Sequence, residues 1–244
     1  MRVALFSAFP QEVREVIRKI GATRPLKKTS FEICHAAYSS HEIIIVQTGF
    51  GIRNAENAIE YVVEEYAPEV VISSGFGGAL YDGARIGEVV WASHALFISE
   101  HGLQFADLQN GRDMFERLAG RLALREGSVV TLEGWKNKAE VRKIVPENFP
   151  FPVCDMETFP LTKISLERGL TIYAFRCITD RNDEEIPHEL LGVSDEAGRY
   201  RLSRAVKLLF SRPALIPDSI KLGVHSYIAG RSLWRTLSAL IREL

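Results

Sequence analysis

Apolar positions along the chain fall into two spacings. Short continuous runs at residues 2–6, 70–74, 87–93 and 128–132 read as buried strands. Residues 31–38 and 42–47 read as a strand pair around the polar turn Ser39-Ser40. A helical period sets in at residues 11–20, 113–123 and 138–144. It is clearest where Ile52, Ala55, Ala58, Ile59, Val62, Val63 and Tyr66 share one face before Pro68 ends the helix. Residues 94–107 follow neither spacing and read as irregular; Ser99-Glu-His101 there either lines a cleft or caps a turn.

The pattern centres on two runs that each end in a carboxylate, Phe151-Pro-Val-Cys-Asp-Met-Glu157 and Tyr173-Ala-Phe-Arg-Cys-Ile-Thr-Asp180. Between them Leu161, Ile164, Ser165 and Leu166 keep helical spacing, with Pro160 suited to a first turn and Gly169 to a C-terminal stop. Strand, helix, strand is the reading. A right-handed βαβ unit would bring Glu157 and Asp180 out on one edge of a parallel sheet, where open α/β sheets bind ligands.

Composition adds limits. A chain of 244 residues, 46% hydrophobic and 25% charged, suits one large α/β domain with a full core. A net charge of −1 speaks against a dedicated nucleic-acid binder. That figure hides an asymmetry: residues 199–244 hold nine Lys/Arg against Asp218 and Glu243, a net of +7, which leaves −8 on residues 1–198. The chain is therefore divided into a main domain, 1–198, and a basic helical extension, 199–244, packed on it. The extension reads as helices at 202–210 and 219–244, parted by Pro213 and Pro217. In the second, Ile220, Val224, Tyr227, Ile228, Leu237, Leu240, Ile241 and Leu244 are assigned one apolar face. Arg231, Arg235 and Arg242 run close to another stripe. Either the apolar face packs on the body and the arginines are solvated, or the tail lies against an anionic membrane. Cys34, Cys154 and Cys177 lack metal-ligand spacing and fit reduced thiols. The N-terminal apolar run is too short for a signal peptide, and no run reaches the roughly 18 residues of a membrane span. A soluble cytoplasmic protein with no metal and no cofactor is expected.

Candidate chemistry gathers at a few positions. Gly75-Phe-Gly-Gly78 follows a strand, and such glycines either let backbone amides approach a ligand or merely turn the chain. They match neither a P-loop nor a dinucleotide fingerprint. Glu12, in a first helical turn, favours the helix dipole by ~0.3–1 kcal/mol even without another role. Trp135 is a stacking surface for a planar ligand or ordinary packing. Glu157 and Asp180 are paired carboxylates or helix N-caps.

Four motifs in register resemble the nucleoside phosphorylase/nucleosidase superfamily, and within it the 5′-methylthioadenosine/S-adenosylhomocysteine nucleosidase branch. Ala8-Phe-Pro-Gln-Glu-Val13 resembles Ala-Met-Glu-Glu-Glu-Val, and Gly49-Phe-Gly-Ile-Arg-Asn-Ala55 resembles Gly-x-Gly-Lys-x-Asn-Ala. Ser74-Gly-Phe-Gly-Gly-Ala-Leu80, with Ile86-Gly-Glu-Val-Val90 behind it, is similar to Thr-Gly-x-Ala-Gly-Gly-Leu and Val-Gly-Asp-Val-Val. Asp155-Met-Glu157 and Arg176-Cys-Ile-Thr-Asp180 resemble the Met-Glu and Arg-x-Ile-Ser-Asp signatures. The resemblance covers roughly residues 1–190. It implies three layers, α/β/α, around a central mixed twisted sheet, a homo-oligomer, and cleavage of a purine N-glycosidic bond, adenine being the expected base. It implies Asp180 as the acid at N7 and Glu12 as the base for water. Met156 and Glu157 would hold the ribose, Trp135 would stack on the base, and Gly75, Phe76 and Gly77 would line the site.

Departures from the family pattern shape the alternatives. Phe76 stands where nucleosidases carry a small polar residue near the water. The phosphorylases' phosphate loop is replaced by Ser7-Ala-Phe-Pro10, and their arginine before the second glycine stretch by Ser73. Both losses favour water over phosphate. A phosphorylase using Arg53, a non-catalytic nucleoside-binding homologue, and a nucleosidase for a lipid nucleoside remain open. The last follows because the basic tail resembles that of hopanoid-associated members, which act on adenosyl-hopane; it would put the protein at the inner membrane face.

Overall fold

The computed structural model describes residues 1–23, 26, 27, 31–108, 111–134, 136–184, 207, 208 and 210–244. The elements follow in the order β1 (Arg2–Ser7), α1 (Pro10–Ile20), β2 (Leu26–Lys27), β3 (Glu32–Tyr38), β4 (His41–Gln47), α2 (Ile52–Tyr66), β5 (Val70–Ala79), β6 (Val89–Ser99), β7 (Gly102–Asp107), α3 (Arg112–Ala119), β8 (Leu124–Leu132), α4 (Lys138–Ile144), β9 (Pro152–Asp155), α5 (Thr158–Glu167), β10 (Thr171–Asp180) and α6 (Ile216–Glu243).

Side chains alternate across a strand, and β1 shows what that does here. Val3 and Leu5 enter one core with Val13 and Val16 of α1, Leu118 of α3 and Leu237 and Leu240 of α6. Ala4 and Phe6 enter the other with Ala55 and Ile59 of α2 and Phe159 and Leu161 of α5. A sheet buried on both faces needs helices on both, which gives three layers, α/β/α. The sheet is mixed, ordered β10-β6-β8-β9-β5-β1-β4-β3-β2 with β7 beside β6. Because β10 also pairs with β5, strands β5, β9, β8, β6 and β10 close into a ring, and β1, β4, β3 and β2 form an open wing.

Several expectations need correction. β9 and β10 are not a parallel βαβ pair. β9 runs antiparallel to β5, and β5 runs parallel to β10. A short run such as β9, Pro152–Asp155, makes a strand identifiable but leaves its direction to the ring that receives it. The two carboxylates still converge, because Gly78 is paired with Cys154 on one side and with Asp180 on the other. Residues 75–78 belong to β5 and are not a loop. Residues 94–107 form the β6–β7 hairpin. Its outer strand is almost wholly exposed, and its apolar alternation is confined to Leu103 and Phe105. Ser99 Oγ accepts the His101 amide inside that hairpin turn at 3.2 Å. The β3–β4 turn is as expected, with Ser39 and Ser40 at φ 53° and 67°.

α6 does not present one apolar face. Leu233, Leu237, Leu240 and Ile241 are buried, whereas Ile216, Ile220, Val224, Tyr227 and Ile228 are exposed. At 3.6 residues per turn, positions 220 and 237 stand about 100° apart, so one face cannot hold both groups. Arg231, Arg235 and Arg242 are exposed, and Arg242 lies over the Tyr38 ring at 5.6 Å. Most of the helix expected at 202–210 lies outside the described residues. Among the described residues no helix is long and apolar enough to cross a membrane.

Candidate active site

Glu12 is delivered by the turn from β1 into α1. Its Oε2 accepts the amides of Ala8 and Phe9 at 2.8 and 2.9 Å, and its Oε1 accepts the amide of Phe76 on β5 at 2.7 Å. The Phe9 contact is half of a capping box; the Phe76 contact bridges to the sheet. Burial drives the carboxyl above its ordinary value, while the amides of Phe76 and Phe9 and the Arg176 charge pull it back. A Cβ at Gly75 would lie 2.8 Å from Glu12 Oε1, so only glycine admits the carboxylate there. The Phe76 side chain packs against the first core, and the residue also lines the cavity.

Glu157 sits at the start of α5 but its side chain does not cap the helix. Asp155 takes that task, its Oδ2 accepting the Thr158 amide at 2.9 Å and the Thr158 hydroxyl at 2.6 Å. Arg176 pairs with the same Oδ2 at 2.7 Å and donates to Ser73 Oγ at 3.0 Å. Both members of this ion pair are buried. Glu157 Oε1 instead accepts the Gly51 amide at 2.8 Å, across the cleft from α2. Burial first, then the Asp155 charge, pushes its carboxyl up to about 8.

Asp180 ends β10, 6% exposed. Its Oδ1 accepts the Thr179 hydroxyl at 2.8 Å, and its Oδ2 is ion-paired with the ammonium of Lys138, the first residue of α4. Lys138 is 3% exposed and donates to the carbonyls of Arg181 and Glu184 at 2.6 and 2.9 Å. α6 reaches the same place through His225 Nδ1, 2.8 Å from the Thr179 carbonyl.

These groups surround one cavity of about 250 Å³. Glu12, Phe76, Gly77, Met156, Glu157 and Asp180 line it, and Gly75 stands behind Glu12. Trp135 lies outside the described residues. The sequence had singled out neither Lys138, also in the lining, nor Phe9, Phe50, Leu222 and Ser226, which add to its walls. A lysine in a helix's first turn opposes the dipole, a local misfit that could have marked Lys138. Leu222 and Ser226 could not be placed without knowing where α6 docks. The three cysteines are free, and burial pushes the cavity-lining Cys154 thiol up to about 12, so it stays protonated near neutral pH.

The chain resembles proteins of known activity. It is 22% identical over 227 residues to a 5′-methylthioadenosine/S-adenosylhomocysteine nucleosidase of Shewanella loihica, covering 86% of this chain and 99% of that one. The Shewanella oneidensis enzyme of the same name is 23% identical over 239 residues, covering 91% and 100%. Among solved structures, the Neisseria meningitidis nucleosidase of that name, in complex with methylthio-immucillin-A, superposes with a TM-score of 0.71 at 16% identity over 100% and 99% of the chains. A Helicobacter pylori futalosine hydrolase superposes at 0.76 with 12% identity over 100% and 98%. The family model described as the Phosphorylase superfamily matches residues 2–211. That span holds the whole sheet and every cavity residue named above except those of α6, and the chain belongs to the Phosphorylase superfamily of nucleoside phosphorylases and nucleosidases.

Proposed function

We propose that this enzyme hydrolyses the N-glycosidic bond of a purine nucleoside bearing a 5′-substituent, with adenine as the expected base. The observation that carries hydrolysis over phosphorolysis is the position of the Glu12 carboxylate. The amides of Ala8, Phe9 and Phe76 could serve an anion such as phosphate, but Glu12 already occupies all three. Arg53 is exposed on α2 and Ser73 is taken by Arg176. A buried anion at this spot repels phosphate and accepts a proton from water.

In this reading the ribose hydroxyls meet Glu157 and the Met156 segment, and Asp180 faces N7 of the base. Protonation at N7 turns a poor leaving group into a neutral purine, an effect of ~10²–10⁴-fold. The C1′–N9 electron pair moves into the base, the sugar becomes oxocarbenium-like, and the carboxylates stabilise that charge. Water then adds to C1′ and gives its proton to Glu12. The test is a panel of 5′-substituted adenine and hypoxanthine nucleosides, assayed for base release with and without phosphate. Base release that is independent of phosphate and leaves a free sugar supports the reading. Ribose 1-phosphate as the main product would make the enzyme a phosphorylase.

A specific observation favours a membrane-facing enzyme, and with it a lipid-linked substituent. Leu222 and Ser226 of α6 line the cavity, and the apolar stripe Ile216, Ile220, Val224 and Ile228 on the same helix is exposed to solvent. The stripe lies about 160° round the helix from Leu222, on the side away from the cavity, where it would meet an anionic bilayer steered by the basic C-terminal segment. Co-sedimentation with anionic vesicles, lost in an Ile220→Asp/Val224→Asp double variant, is the expected result. Indifference of the wild type at low salt would favour a small soluble substituent. We further propose a cytoplasmic homo-oligomer. Leu103 and Phe105, exposed on β7, suit its contact surface, and sedimentation velocity is the check.

A further inference from the structure

Asp180 carries a contradiction within the proposed chemistry. A carboxyl that protonates N7 must hold a proton, yet both of its oxygens already accept hydrogen bonds. Oδ1 takes the Thr179 hydroxyl at 2.8 Å and Oδ2 faces the Lys138 ammonium. Two donors on one carboxylate favour its ionised form. The proton therefore has to come from the partner.

Lys138 is built for that place at some local cost. It is 3% exposed and stands in the first turn of a helix, where a cation opposes the dipole. Its three N–H groups have four acceptors in range: Asp180 Oδ2 and the carbonyls of Asp180, Arg181 and Glu184, the carbonyls at 3.4, 2.6 and 2.9 Å. The sheet makes room for the pair. A Cβ at Gly78 would come within 2.5 Å of Asp180 Oδ2 and 2.9 Å of Lys138 Cε.

We propose, resting on the hydrolase reading above, that Lys138 is a positioning residue that acts through Asp180 and supplies the proton Asp180 passes to the base. Lys-NH₃⁺ with Asp-COO⁻ and Lys-NH₂ with Asp-COOH carry the same total charge. Burial penalises the ion pair more than the neutral one, so a proton can shift between them without a net charge entering the cavity. The balance closes. Lys138 gives one proton to Asp180, and Asp180 gives one to N7 as the C1′–N9 bond breaks and its electrons enter the base. Water bonds to C1′ and loses its proton to Glu12. After turnover Lys138 is a neutral amine and Glu12 a carboxylic acid, and exchange with solvent restores both. The proton is thus held by the pair and not by Asp180 alone.

The experiment is the pH profile of kcat/KM for base release in the wild type, Lys138→Met and Lys138→Arg. Thermal melts and adenine binding serve as controls for folding. Lys138→Met should move the alkaline limb down by about one unit or more, because Asp180 alone must then hold the proton. Lys138→Arg keeps the charge but has no proton to give, so kcat should fall about 10-fold or more with KM little changed. If Lys138→Met does not fold, the kcat against KM split of Lys138→Arg decides. An unmoved alkaline limb in Lys138→Met, or near-full kcat in Lys138→Arg, would reduce Lys138 to a structural anchor and overturn the proposal. A wild type that releases no base from any nucleoside of the panel overturns the hydrolase reading and this proposal together. Base release with an unmoved profile overturns this proposal alone.

Discussion

Glu12 accepts three amides, Glu157 one, and Asp180 a hydroxyl and an ammonium. One functional group thereby stands in three different donor environments. Glu157, with a single amide against full burial, is raised from 4.5 to about 8. A carboxyl raised on folding binds more protons in the native than in the unfolded state between those two values. Its contribution is therefore greatest below pH 4.5 and is lost as pH rises through about 8. Glu157→Gln should melt roughly 2–4 °C above the wild type at pH 8, with the gap closing toward pH 5. An equal difference at both pH values would mean that the effect is packing and not ionisation. Gly78→Ala tests the other carboxylate, since its Cβ forces Asp180 and Lys138 apart. The expected kcat loss is about 10²-fold, the scale of an ångström-level misplacement, with the fold retained. Glu157 and Asp180 were legible in the sequence because each ends an apolar run, and Glu12 because it stands in a helix first turn after a strand. Their donors were not, because Phe76, Gly51 and Lys138 come from distant parts of the chain.

At the scale of elements, periodicity located α2 and α4 to the residue and most strands to within a few. It could not give direction or pairing. β9 is four residues long, and its antiparallel place against β5 is imposed by closure of the ring. β7 was missed because its alternation, Leu103 and Phe105 alone, is too short to mark a strand. The division of α6 was missed because an apolar residue at helical spacing reads the same whether a core or solvent meets it. Its second half belongs to the first core, with Leu240 and Leu237 at 0% and 1% exposure. Leu240→Ala should cost ~2–5 kcal/mol in chemical denaturation, the range for a cavity-forming core truncation. Removing α6 should prevent folding altogether. A loss well under 1 kcal/mol would show that the C-terminal half is only loosely docked.

For the whole molecule, one cavity draws its groups from both parts of the sheet and from both helical layers. Glu12 follows the first strand of the open wing, Asp180 ends a strand of the closed ring, and Gly51 leads into α2. The proposed cleavage of a purine N-glycosidic bond there needs an acid for the departing base and a base for the attacking water. The direct test is steady-state base release by the wild type, Asp180→Asn and Glu12→Gln on the best nucleoside of the panel, alongside calorimetric binding of that nucleoside to the two variants. Each substitution should lower kcat by ~10²-fold or more while binding stays within a few-fold of the wild-type KM. Near-full turnover by Asp180→Asn would contradict the assignment of the acid, and with it the chemistry proposed for this cavity.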